Sequence, residues 1–86
     1  MNGFTLQIVT NMGLLYDGSA EKIILRTTEG DVGILSRHSD YIAALGNGTA
    51  RVFADGKEKK AHCSGGMVSV ADGVVRVVAS KFTWEE

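Results

Sequence analysis

Proline is absent from this chain, which is unusual for a β-rich protein with so many turns. Cysteine occurs once, at position 63, so no intrachain disulfide can form, and a lone thiol fits a reducing compartment. Neither sign of charge dominates. Nine basic residues against ten acidic ones leave a net charge of −1, which excludes the general electrostatic pull of a nucleic-acid-binding domain. No apolar run approaches the roughly 20 residues that a membrane-crossing helix needs. The opening Met1-Asn2-Gly3-Phe4-Thr5 lacks a charged segment followed by an apolar block, so no secretory signal is visible. Any membrane association is therefore expected through a protein partner. Helical periodicity is scarce too, with no segment sustaining it over roughly 10–12 residues.

What is present is a run of short strands. The composition, 44% hydrophobic and 22% charged, is that of a globular chain. Its 86 residues are read as one domain, 1–86. A domain of this size buries roughly 60–65% of its unfolded surface and should be stable by on the order of 5–10 kcal/mol. Four dipeptides read as turns: Asp17-Gly18, Asn47-Gly48, Asp55-Gly56 and Asp72-Gly73. Between them apolar residues alternate. Phe4, Leu6 and Ile8 share a face, as do Ile23 and Leu25, and Ala50, Val52 and Ala54. Hairpins are expected over 50–54 with 57–63 and over 67–71 with 74–79. The run Val74–Ala79 is nearly all β-branched, which implies cover on both faces. Ser39–Leu45 reads as a turn and short strand. Lys57, Lys59 and Lys60, interrupted by Glu58, read as a solvated edge strand. The fold class is all-β, a β-sandwich or flattened barrel.

Catalysis is hard to build from these residues, and no catalytic group, metal or cofactor is expected. His62 and Cys63 are neighbours in a strand, so their side chains point to opposite faces and cannot form a dyad. Cys63 reads as a small buried hydrophobe. His38, His62 and Cys63 lack metal-ligand spacing. Gly65-Gly66 has neither the surrounding motif nor the following helix of a phosphate loop and reads as a tight turn between two strands. Glu29 and Asp31 form a small acidic tip around Gly30, either solvated or paired with a partner's loop. His38 either fixes its turn by bonding backbone or contacts a partner. A small ligand-binding module for sugar or peptide is the rival reading. It would need a concave aromatic site, and the aromatics Phe4, Tyr16, Tyr41, Phe53, Phe82 and Trp84 are scattered along the chain.

Glu29-Gly30-Asp31-Val32-Gly33-Ile34-Leu35-Ser36-Arg37-His38 resembles the signature loop of the ε subunit family of F-type ATP synthases. Phe4–Thr10 resembles that family's opening strand, Tyr16–Ile23 its next turn and strand, Asn47-Gly48 a later turn, and Ser64–Val70 its S-G-G segment. Their order and spacing together make the resemblance specific over nearly the whole chain. It implies two stacked antiparallel sheets, an N-terminal β-sandwich domain followed by a C-terminal helical hairpin. That hairpin is missing here, since Phe82–Glu86 falls about where it would start. An excised domain is expected in preference to a natural short form. The resemblance also implies a non-catalytic rotor piece coupling ion flow through the membrane c-ring to ATP synthesis or hydrolysis. Its partners would be the γ subunit and the c-ring, with the isolated domain monomeric. Glu29, Gly30, Asp31 and His38 map to the c-ring contact; His38, Tyr41 and Ile42 map to the γ contact. A stiff sandwich would clamp the two, with strand 74–78, Met12 and Met67 as apolar contact. The complex is expected on the cytoplasmic face of a bacterial plasma membrane, and with no transit peptide visible an organellar origin is the less expected alternative. Asn11 and Ser36 stand where the family has proline, leaving both loops less rigid.

Overall fold

The computed structural model describes residues 3–85. Met1 and Asn2, which open the segment read for a secretory signal, and Glu86, which ends the Phe82–Glu86 tail, lie outside the described residues. Eight strands follow in order: β1 (Phe4–Thr10), β2 (Gly13–Ala20), β3 (Lys22–Thr27), β4 (Gly30–Leu35), β5 (Tyr41–Ala44), β6 (Asn47–Ala54), β7 (Lys57–Ala71) and β8 (Val74–Trp84). The hydrogen-bonded order is β2-β1-β8-β7-β6-β3-β4, with β5 also on β7. Every pair is antiparallel except β1 and β8, which run parallel. The sandwich expected from the sequence is therefore present, with one parallel seam.

The ladder closes into two layers because β7 and β8 are long enough to serve both. The first half of β7 pairs with β6 and the second half with β5, so β5 and β6 lie end to end along one side of it. The fold-over is at Leu45-Gly46 and Gly65-Gly66, tied by Leu45 N–H to Gly66 O (2.9 Å) and Gly65 N–H to Gly46 O (3.3 Å). One layer is then β2, β1, the start of β8, the end of β7, and β5. The other is β4, β3, β6, the start of β7 and the end of β8. Period-2 alternation sends one side of every strand inward. Leu6, Ile8, Val68, Val75 and Val77 of the first layer meet Ile23, Leu25, Ile34, Val52 and Ala61 of the second in one buried core.

Turn propensity was a good guide where the chain had to reverse and a poor one where pairing competed. Asp55-Gly56 and Asp72-Gly73 close hairpins with both residues at positive φ (54° and 72°; 53° and 77°), as a type I′ turn requires. Asp17-Gly18 and Asn47-Gly48 lie inside β2 and β6 instead, because Leu6 pairs with Gly18 and Cys63 with Gly48. Gly65-Gly66 is likewise no turn between strands; β7 passes through it, bent at φ 70° and 104°. The edge reading of Lys57–Lys60 holds for the segment and not for its strand. β7 is internal, but the β8 ladder stops at Trp84 opposite Ala61 and Glu85 N–H reaches Lys60 O (2.8 Å), leaving 57–59 beyond it. Trp84 folds back rather than hanging free. Its ring meets Phe82 at 5.1 Å and Tyr16 at 6.2 Å, both edge-on, with Lys59 Nζ 4.6 Å above it.

Candidate partner-docking surface

Strand register assembles a surface that no single segment reveals. On the outer face of the first layer, Leu14 lies opposite Val9, Val9 beside Val78, Val78 opposite Met67, and Met67 opposite Ala44. Five apolar side chains thus form one row across β2, β1, β8, β7 and β5. At the usual strand spacing it is roughly 19 Å long. Leu14 is 60% exposed, and Met67 and Val78 each 47%. The neighbouring row is polar: Asp17, Gln7, Arg76 and Ser69, in which Arg76 Nε and Nη2 both donate to Gln7 Oε1 (3.0 and 2.9 Å). That row ends on Ile42, opposite Ser69 and 67% exposed. A band of apolar side chains beside a fixed polar border is the anatomy of a protein–protein contact.

The acidic tip lies just around the fold-over. Thr27, buried at 5% exposure, builds it. Its Oγ1 accepts from Glu29 N–H (3.1 Å) and donates to Gly30 O (2.7 Å). Glu29, Gly30 and Asp31 are exposed together there, and Arg26 Nε donates to Asp31 Oδ1 at 2.5 Å. Thr28 N–H donates to Ala44 O (3.0 Å), so the tip is joined by backbone to the end of the apolar row.

His38 is elsewhere. It follows the far end of β4, whose six residues span roughly 17 Å. The structure brings Glu29, Gly30 and Asp31 together and does not bring His38 to them. His38 Nδ1–H donates to Ser39 O (2.7 Å), its N–H to Leu35 O (3.2 Å), and its ring meets Tyr41 edge-on at 5.6 Å. This is the turn-fixing arrangement. Tyr41 packs inward against the core, so of His38, Tyr41 and Ile42 only Ile42 presents itself on the open face.

The turn that His38 closes runs over Leu35-Ser36-Arg37-His38, with Arg37 at φ 65°. Positive φ at the third position fits a type II turn, which favours proline second and glycine third. Ser36→Pro with Arg37→Gly is therefore expected to raise stability by about 1 kcal/mol in urea unfolding. An unchanged or lower midpoint would contradict the turn assignment.

Among the described residues, no three His, Cys, Asp or Glu side chains gather as a metal site would need. Cys63 is 3% exposed, and burial raises its thiol pKa above the ordinary 9.0. His62 beside it is exposed, on the opposite face as expected. A folded-state pKa raised above the unfolded one contributes stability that is complete below about pH 9 and lost as pH rises through the native value. Folded protein should resist thiol labelling at neutral pH and react only as it unfolds; prompt stoichiometric labelling would show the site to be open. A surface depression of about 680 Å3, lined by Glu21, Leu35, Ser36 and Arg37, contains no aromatic side chain, unlike a sugar or peptide cleft.

The apolar row was only partly legible beforehand. Met67 and strand 74–78 read in the sequence as surplus hydrophobics, but Val9, Leu14 and Ala44 join them only through register. Met12, 91% exposed, lies on the β1–β2 turn beyond the row.

Comparison with known proteins agrees with this architecture. The sequence model of the ATP synthase Delta/Epsilon chain β-sandwich domain matches residues 3–85. The ATP synthase epsilon chain of Alkaliphilus oremlandii (strain OhILAs) is 40% identical over 83 residues, covering 96% of this chain and 62% of that protein. That of Clostridium novyi (strain NT) is 39% identical over 84 residues, covering 96% and 64%. The chain thus spans less than two thirds of these relatives' length. A chain of the Euglena gracilis mitochondrial ATP synthase, solved as OSCP/F1/c-ring in rotational state 1, superposes with TM-score 0.89 at 27% identity, covering 95% of this chain and 53% of that one. A chain from the Tetrahymena thermophila mitochondrial ATP synthase central stalk and c-ring gives TM-score 0.76 at 15% identity, covering 91% and 63%, a likeness of fold alone.

Proposed function

The chain belongs to the ATP synthase delta/epsilon β-sandwich family, and from that premise we propose that it works as a non-catalytic rotor piece, bridging the γ subunit to the membrane c-ring. The single observation that carries the bridging role is the junction of two unlike surfaces at one corner. The apolar row ends at Ala44, whose carbonyl receives Thr28 N–H at the base of the acidic tip. A partner on the face and a partner at the tip would be held at fixed spacing by one close-packed body.

In this reading Glu29, Gly30 and Asp31 meet the ring, and the row with Ile42 meets γ. His38 and Tyr41 act behind Ile42, setting the path of the chain into β5. The domain couples ion flow to ATP synthesis or hydrolysis by stiffness, with no reacting group. It sits at the membrane only through the complex, on the cytoplasmic face of a bacterial plasma membrane, and is monomeric when alone. Asp31→Arg tests the tip. It reverses a charge at an exposed position, so the fold should survive while association with a γ–c-ring assembly weakens by roughly tenfold. Binding equal to wild type would remove the tip from the ring contact.

A further inference from the structure

We propose that Arg26 is a positioning residue that fixes the Asp31 carboxylate for docking, lying in a groove made for it by Gly46 and Gly48. The inference rests on the reading of Asp31 as a ring contact. Arg26 and Asp31 lie directly opposite in the β3–β4 register, on the outer face of the second layer. Arg26 Nε donates to Asp31 Oδ1 at 2.5 Å. The arginine stem does not wave in solvent. A Cβ on Gly48 would stand 2.9 Å from Arg26 Cβ and 3.2 Å from its Cγ, and one on Gly46 would stand 3.3 Å from that Cγ. The absent side chain at Gly48 thus leaves the space the methylenes occupy, helped by Gly46, whose Cβ would first meet Thr27 O at 3.1 Å. A long side chain laid along backbone has already given up rotamer freedom, so its donor stays in place to orient the carboxylate.

Both partners are about half exposed, 51% and 58% at their side chains. A pair so open contributes little to folding, so stability does not account for the groove. Orientation does. Asp31 Oδ2 accepts no bond among the described residues, leaving acceptor capacity for an incoming donor. The sequence shows Asn47-Gly48 only as a turn dipeptide; the strand explains its glycine by what crosses it.

The experiment uses this chain with Arg26→Gln, Asp31→Asn, the double variant, Arg26→Lys and Gly48→Val. One readout is affinity for a detergent-purified γ–c-ring assembly. The other is the Hα–Hβ coupling constants of Asp31 in the free chain, which report whether its side chain holds one rotamer. Asp31→Asn should weaken binding roughly tenfold and Arg26→Gln about three- to fivefold, the range of an exposed ion pair. The double variant should be no worse than Asp31→Asn, because the two act through one group. Arg26→Lys should recover part of the loss, as its stem fits the groove and its charge reaches the carboxylate. Gly48→Val should match Arg26→Gln by displacing the stem, and averaged Asp31 couplings should accompany each loss. Effects that multiply in the double variant, or Asp31 couplings unchanged by Arg26→Gln, would overturn the positioning role. Wild-type binding by Asp31→Asn would instead overturn the ring contact itself, and the docking role with it.

Discussion

Gly66→Ala is expected to abolish most of the stability of this domain, at a cost of about 4 kcal/mol or more in urea unfolding. Two physical causes add. Gly66 sits at φ 104°, outside the small left-handed region that other residues tolerate. Its added Cβ would also overlap the carbonyl oxygen of Val78 and lie 2.8 Å from Ala79 Cα. Both obstacles are backbone of the paired strand, so no rotamer change relieves them. The strand would have to separate at the fold-over, where β7 passes from one layer to the other. Against a total on the order of 5–10 kcal/mol, that removes roughly half of the stability or more. Gly65→Ala is the control. Its φ is 70° and its Cβ would meet only the Ser80 side chain, Oγ at 3.0 Å and Cβ at 3.4 Å, so about 1–2 kcal/mol is expected. Equal, small losses at the two positions would show that the corner is not where the strands are pinned.

The same corner shows how far a sequence can be read. Phe4, Leu6 and Ile8 were legible as an inward face because a strand's period is fixed by its backbone, whatever it pairs with. Asp55-Gly56 and Asp72-Gly73 were legible because a two-residue hairpin asks for two positive φ angles in a row. Gly65-Gly66 was not legible, because adjacent glycines serve a turn and a bent strand equally well. Only the pairing of Met67 with Val78 and of Ser64 with Lys81 on either side of them decides. The parallel seam between β1 and β8 was hidden for a related reason. It joins residues about 70 apart, and nothing local announces a partner at that distance. The docking surfaces divide along the same line. Glu29, Gly30 and Asp31 are contiguous and could be named together. His38 belongs to the same motif but sits beyond the other end of β4, since a strand separates what the sequence lists side by side.

Met67→Glu combined with Val78→Glu should abolish γ binding while leaving the domain folded. The two side chains lie opposite each other at the centre of the apolar row and are each about half exposed. Placing carboxylates there removes no core contact, because Val68 and Val77, their inward neighbours, fill the interior. The unfolding midpoint should therefore fall only slightly, with some loss from like charges directly opposite on the sheet. Binding should respond very differently. Residues at the centre of a contact are those most fully desolvated when it forms, and truncating such a residue typically costs 2 kcal/mol or more. Burying an unpaired carboxylate adds a desolvation penalty to the lost apolar contact. Two such changes are expected to lower affinity for γ by at least about a hundredfold, read by calorimetric titration against purified γ. Gln7→Ala, on the polar border, should lower it by threefold or less. The contrast locates the contact, since a γ subunit seated on the second layer would leave both variants binding like wild type. It also separates γ from the ring: Met67→Glu with Val78→Glu should spare whatever affinity the acidic tip has for the ring alone, because the tip is tied to the end of the row by the Thr28–Ala44 and Gly46–Arg26 backbone bonds, which neither substitution touches.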